Sequence, residues 1–173
     1  MKQNRHINRV AVIGSGIMGS RIACHFANIG VEVLLLDIVP FDLTEEQKQN
    51  KQIRNSIVNE AIKSTLKSKP SPIYSKEFVS RITTGNLEDD LHKITNVDWI
   101  IEVVVERLDI KKQVFEKIEK HRKEGTLISS NTSGIPIESM LDGRSVDFQK
   151  NFCGTHFFNP PRYLKLLEII PTS

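Results

Sequence analysis

The sequence predicts an α/β fold, doubly wound, with a mainly parallel sheet and antiparallel strands at its C-terminal end. Three observations predict it. An apolar run from Val10 to Ile13, a helical repeat of apolar residues and a second apolar run from Val31 to Leu36 follow one another within about 30 residues, the size of a strand–helix–strand unit. Strand and helix patterns keep alternating along the rest of the chain. Finally, two terminal strand candidates are joined by too few residues for a parallel crossover and must pair antiparallel.

The elements follow in order. Val10, Val12 and Ile13 form a strand that Gly14 closes at once. Met18, Ile22, Phe26 and Ile29 recur at helical spacing, and Gly30 ends that helix. Val33–Leu36 is continuously apolar up to Asp37, as expected of a strand buried on both faces. Residues 45–69 read as one long polar helix or two, halted by Pro70 and Pro72. Arg81–Thr84 is a short strand, and Trp99–Val105 is a second buried strand interrupted by Glu102. Asp109 can cap a helix whose inner face is Ile110, Val114, Phe115 and Ile118. Thr126–Ser130, Asn151–Phe158 and Leu164–Ile170 complete the strands.

The chain of 173 residues suits one domain. With 39% hydrophobic and 26% charged residues it is too apolar for a disordered chain and too polar for a membrane protein, and no apolar run approaches a bilayer span. No apolar segment that reads as a signal peptide follows the basic N-terminus, and Cys24 and Cys153 make neither a disulfide framework nor a metal site. A soluble, reduced, cytoplasmic protein is expected. The charge is uneven: residues 45–81 carry eight Lys/Arg against four Asp/Glu. That is either a solvated helix face or a surface for a phosphate-bearing partner. Basic runs with interleaved aromatics are missing, so nucleic acid is not the expected partner.

Three constellations can carry chemistry. The first is Gly14-Ser15-Gly16-Ile17-Met18-Gly19, a G-x-G-x-x-G pattern between a strand and a helix, with Asp37 lying 23 residues after Gly14 at the end of the next strand. Gly14 permits the tight turn, Gly16 lets backbone approach a pyrophosphate, and Gly19 lets helix and strand pack closely. The helix N-terminus offers unpaired N–H groups to phosphates. Asp37 can accept from the ribose hydroxyls and would repel a 2′-phosphate, so NAD is expected in place of NADP. These features make the sheet Rossmann-type.

The second is His156 with Glu168. In a hairpin centred on Arg162, opposed residues have numbers summing to 324, as these two do. As cross-strand neighbours they form a general-base pair, or a structural contact at a strand end. The third is Ser129-Ser130-Asn131-Thr132-Ser133-Gly134, which emerges at the carboxyl edge of the sheet where open α/β folds bind ligands, unless it is turn chemistry alone. Glu106 sits at the same edge, as a site residue or a solvated loop carboxylate.

Taken together, Val12–Gly19, Ser130–Gly134, Gly154-Thr155-His156-Phe157-Phe158-Asn159-Pro160-Pro161 and Lys165–Pro171 resemble the NAD-binding domain of the L-3-hydroxyacyl-CoA dehydrogenases of fatty-acid β-oxidation. Residues 29–40 and 86–108 look most like the long bacterial type, in which a hydratase-like region follows. The resemblance implies oxidation of an L-3-hydroxyacyl-CoA thioester to the 3-ketoacyl form, with hydride passing to NAD. It places the catalytic base on His156, its partner on Glu168 and a substrate-contacting hydroxyl on Ser133. It puts Glu106, Lys111 and Asn131 on the cofactor side with the glycine turn, and Asn159 on the substrate side. Lys63 and Lys67 become candidates for the CoA phosphates. It also implies a homodimer, built largely by a helical domain that follows this one and is expected to be absent from this chain. Arg21 and Arg107 depart from the family pattern, where a small residue and Asn are common. A dehydrogenase of another β-hydroxyacid and a dinucleotide-binding module without turnover are the alternatives.

Overall fold

The computed structural model describes residues 5–172. Strand β1 (Arg9–Ile13) leads into helix α1 (Ile17–Asn28) and strand β2 (Glu32–Asp37). Three helices, α2 (Glu45–Lys48), α3 (Lys51–Arg54) and α4 (Ser56–Leu66), precede strand β3 (Ile82–Asn86). Strand β4 (Trp99–Glu102), helix α5 (Leu108–His121), strand β5 (Leu127–Ser130), helix α6 (Val146–Lys150) and strands β6 (Phe152–Phe157) and β7 (Leu167–Pro171) complete the chain. The strands form one sheet in the order β3-β2-β1-β4-β5-β6-β7. All neighbours are parallel except β6 and β7, which are antiparallel.

Alternation along each buried strand feeds two cores. Ala11, Ile13, Leu34 and Leu36 pack on one face with Val114, Phe115 and Ile118 of α5 and with Phe148 and Phe152. Val10, Val12, Val33 and Leu35 pack on the other with Ile22, Ala23 and Phe26 of α1 and Val58 and Ile62 of α4. The sheet is therefore covered on both faces, which explains the unbroken apolar runs. No described helix is long and apolar enough to cross a membrane.

Several expectations are corrected. Ile29 is exposed just past the end of α1, whose buried stripe runs through Ile22, Ala23, Phe26 and Ala27. Residues 45–69 break into three helices: Thr44 caps the first, Asn50 caps a second start, and the third begins at Ser56 with no side-chain cap. Strand β4 stops at Glu102, short of Val105: the Glu102 carboxylate accepts from its own chain at Val104 N (2.7 Å), turning it out of the sheet and leaving Val105 exposed. Asp109 does not cap α5; it sits in the first turn and binds Arg107, the residue at the cap.

Candidate active site

Because β1, β2, β4, β5 and β6 run parallel, the turns that follow them gather at one edge. The chain leaves β1 toward β2 on one side and later returns to β4 on the other, so a crevice opens between the β1 and β4 turns, the usual ligand position in such sheets. The glycine turn lies there. Gly14 has φ +100°, and a Cβ on it would sit 2.7 Å from the Val103 carbonyl oxygen. A Cβ on Gly19 would lie 1.8 Å from the Gly14 oxygen, so α1 rests directly on the turn. Gly16 is the opposite case: its Cβ position faces open space. It stands at the N-cap of α1, which no side chain caps, so the first-turn N–H groups point toward that space. Ser15 is buried, Ile17 is exposed and Met18 is half-buried beside the α1 core.

Asp37 ends β2 beside this turn. Its Oδ2 accepts from Ser15 N and Ser15 Oγ, both at 2.5 Å, and its Oδ1 from Ile38 N at 2.7 Å. A carboxylate offers roughly four acceptor positions. Three are engaged here, by Ser15 N, Ser15 Oγ and Ile38 N. The open space over Gly16, the uncapped helix start and this carboxylate together fit a dinucleotide.

At the β6–β7 hairpin the register pairs His156 with Glu168. His156 Nδ1 lies 2.8 Å from Glu168 Oε2, and Nε2 lies 3.3 Å from Ser133 Oγ. His156 is partly buried, with its ring tilted on Phe158, whereas Ser133 is exposed. Donating Nδ1–H to the carboxylate fixes the tautomer and leaves the Nε2 lone pair facing Ser133.

Ser133 is positioned by Glu106. One carboxylate oxygen, Oε1, accepts from Ser133 N and Gly134 N at 3.0 Å each and from Thr132 Oγ1. The other, Oε2, is 3.3 Å from Lys111 Nζ. Partial burial works to raise the Glu106 pKa, but the hydrogen bonds from Thr132, Gly134 and Ser133 and the Lys111 charge outweigh it and bring it to about 2. Lys111 is wholly buried and pairs with the equally buried Glu102, Nζ lying 2.8 and 3.0 Å from its two oxygens. Ser130 Oγ also donates to Glu102, at 2.5 Å.

Glu106, Ser133, His156 and Glu168 thus form one contiguous group. Asn131 lies beside it but spends its side-chain oxygen on Phe157 N (2.9 Å), tying the β5 turn to β6. Asn159 is bound by Arg21 of α1. Lys63 and Lys67 stand apart. Helix α4 runs from Asn55, bonded to Asn86 at the carboxyl end of β3, past Asn59, bonded to Thr84, so its basic end lies toward the opposite edge of the sheet. Sequence reading passed over Glu102 as a mere interruption. A lone carboxylate in a buried strand was itself the signal, since it requires a partner.

Residues 9–173 match the family described as "3-hydroxyacyl-CoA dehydrogenase, NAD binding domain". A "Probable 3-hydroxyacyl-CoA dehydrogenase" of Bacillus subtilis is 56% identical over 97% of this chain and 22% of its own length. One of the same name from Deinococcus radiodurans is 48% identical over 96% of this chain and 46% of its own. The chain therefore spans between about a fifth and a half of these relatives. Among solved structures, the (S)-3-hydroxybutyryl-CoA dehydrogenase of Ralstonia eutropha superposes with TM-score 0.68 at 26% identity, covering 95% of this chain and 54% of that one. With a glycine turn, an acidic residue at the end of the next strand and a matching doubly wound sheet, this chain belongs to the NAD-binding domain family of the 3-hydroxyacyl-CoA dehydrogenases.

Proposed function

We propose that the chain forms the cofactor-binding part of an enzyme that oxidises an L-3-hydroxyacyl-CoA thioester to the 3-ketoacyl thioester. The observation that carries this reading is the Ser133–His156–Glu168 group at the same sheet edge as the open turn at Gly16. NAD, when bound, supplies the acceptor for the hydride leaving C3. The backbone N–H groups of Gly16 and the first turn of α1 would hold the diphosphate, and Asp37 the adenosine ribose.

His156 Nε2 removes the C3 hydroxyl proton as the C–O bond becomes a carbonyl, and returns it in reduction. Glu168 holds the ring and stabilises the imidazolium, while Ser133 Oγ, 3.3 Å from Nε2, binds the same substrate oxygen. Glu106 and Lys111 act beneath the nicotinamide side. Asn131 serves that side by fixing the β5 turn, and Asn159 borders the substrate side. The distance of Lys63 and Lys67 from this group leaves them, at most, the far phosphates of CoA.

Ser133 stands open to solvent, so the isolated chain should bind NADH yet turn over acetoacetyl-CoA slowly. A helical domain that covers the site and joins two subunits would complete it. Fluorescence titration of the chain with NADH and NADPH side by side tests the reading. Saturable NADH binding with far weaker NADPH binding is expected, and equal binding of the two removes Asp37 from the ribose. Fast turnover by the chain alone would refute the need for a cover.

A further inference from the structure

The β6–β7 hairpin sets His156 opposite Glu168, yet its own packing does little to fix that register. Strand β7 is the last in the sheet, and each of its five residues is exposed. A strand with one buried face resists slippage, because a shift of one residue turns its apolar set outward. β7 lacks such a face. A slip of one residue would cost it little burial and would carry Glu168 to the side of the sheet away from His156. The nine residues between the strands, 158–166, are too many for a tight turn to set the pairing. The loop is held from outside instead. Arg162 Nη1 donates to Ser71 O at 2.6 Å and to Ile73 O at 2.9 Å. The Tyr163 hydroxyl donates to Ser71 O at 3.1 Å, and the Arg162 guanidinium lies over the Tyr74 ring, 4.2 Å from its centroid. The 71–74 segment is itself firmly seated. Ile73 is buried in the α1 core, and Asn28 of α1 donates to Pro72 O (2.9 Å) and accepts from Tyr74 N (2.8 Å).

We propose that Arg162 is a positioning residue: by clamping loop 158–166 to the carbonyls of Ser71 and Ile73 it fixes the β6–β7 register and so keeps Glu168 on His156 Nδ1. This rests on the assignment of His156 given above. A planar guanidinium suits the task, since it binds carbonyls at its edge while stacking on a ring, which a lysine ammonium does less well. Removing it leaves neither carbonyl without a donor, because Ile73 O also accepts from Ser71 Oγ (2.9 Å) and Ser71 O from Tyr163. The fold should therefore survive Arg162→Met.

The test is NMR of the chain with its imidazoles deprotonated. It reads the ring nitrogen shifts of His156, which report the tautomer, and hydrogen exchange at the hydrogen-bonded amides of β7 against Ile101 in β4. In the parent the Nδ1–H form should predominate, and Glu168→Ala gives the value for a ring without its acceptor. Arg162→Met should move the ring shifts at least halfway to that value. It should also speed exchange in β7 about fivefold or more, with Ile101 changed less than about twofold. Arg162→Lys, which keeps the charge, should fall between the two. Tyr74→Leu, which takes away the ring but leaves every hydrogen bond, should move both readouts the same way, and it decides if Arg162→Met does not fold. Faster exchange in β7 with unmoved ring shifts makes the clamp merely structural and overturns the proposal, as do two unchanged readouts or equal acceleration at Ile101. A parent ring with no preference for the Nδ1–H form overturns it as well. If the clamp passes but His156→Ala keeps its turnover in a polypeptide that carries this domain and reduces acetoacetyl-CoA, the base assignment alone fails.

Discussion

Two glycines three residues apart should respond to the same methyl group in opposite ways. In Gly19→Ala the new Cβ would lie 1.8 Å from the Gly14 carbonyl oxygen and 2.9 Å from its carbon. Ordinary contact is about 3.4 Å or more, so backbone must separate by roughly 1.5 Å between α1 and a turn already pinned against Val103. Overpacking of this kind costs about 3 kcal/mol, which in a domain of this length lowers Tm by roughly 6–12 °C. In Gly16→Ala the Cβ meets nothing within 4 Å, and φ is −54°, so the fold should melt within about 2 °C of the parent. That methyl instead occupies the space assigned to the diphosphate, and NADH affinity should fall about tenfold or more. Thermal melts by circular dichroism and NADH fluorescence titration on both variants measure each half. A Gly19→Ala chain with the parental Tm, or a Gly16→Ala chain that binds NADH normally, refutes the reasoning.

Other outcomes follow from the same geometry. Asp37→Ala should weaken NADH binding roughly tenfold and narrow the gap to NADPH; titrations with both coenzymes decide. In a polypeptide that carries this domain and reduces acetoacetyl-CoA, His156→Ala should cost about 10²–10⁴ in kcat with NADH affinity within about twofold, and surviving turnover would move the base elsewhere. Glu168→Gln should lower kcat by less, since it loosens the imidazole without removing it. The Glu106 carboxyl is held at about 2, below its ordinary 4.5, so its contribution to stability is complete above about pH 4.5 and is lost as pH falls toward 2. Its side chain is 44% exposed, so solvent screening trims that contribution to about 1–2 kcal/mol. Urea unfolding should show Glu106→Gln less stable than the parent at pH 7, with the difference shrinking by pH 3; a constant difference contradicts the assignment.

How far the site was legible depended on the range of the contact. The pairing of His156 with Glu168 followed from arithmetic, because a hairpin with one centre gives opposed residues a constant sum. The roles of Gly14, Gly16 and Gly19 as turn, opening and close contact also matched their surroundings, since each is defined within a few residues of chain. The end of β4 was not legible. Val103–Val105 are β-branched and favour extended backbone, but a Glu102 carboxylate folded back on Val104 N overrides that preference. The burial of Lys111, a residue the family resemblance had named, was equally hidden, for lysine on an amphipathic helix normally reaches solvent.

From the sequence alone came the periods of 2 and 3.6, the glycine spacing and the hairpin sum, and with them the order of the elements and the place of the glycine turn. These are short-range quantities, set by backbone geometry that a reader can count. The burial of Lys111 between Glu102 and Glu106, the attachment of Asn159 to Arg21 and the remoteness of Lys63 and Lys67 were decided only by the tertiary structure. Each joins or separates residues brought together by the packing of different elements, and solvent exclusion there determines which charges must pair.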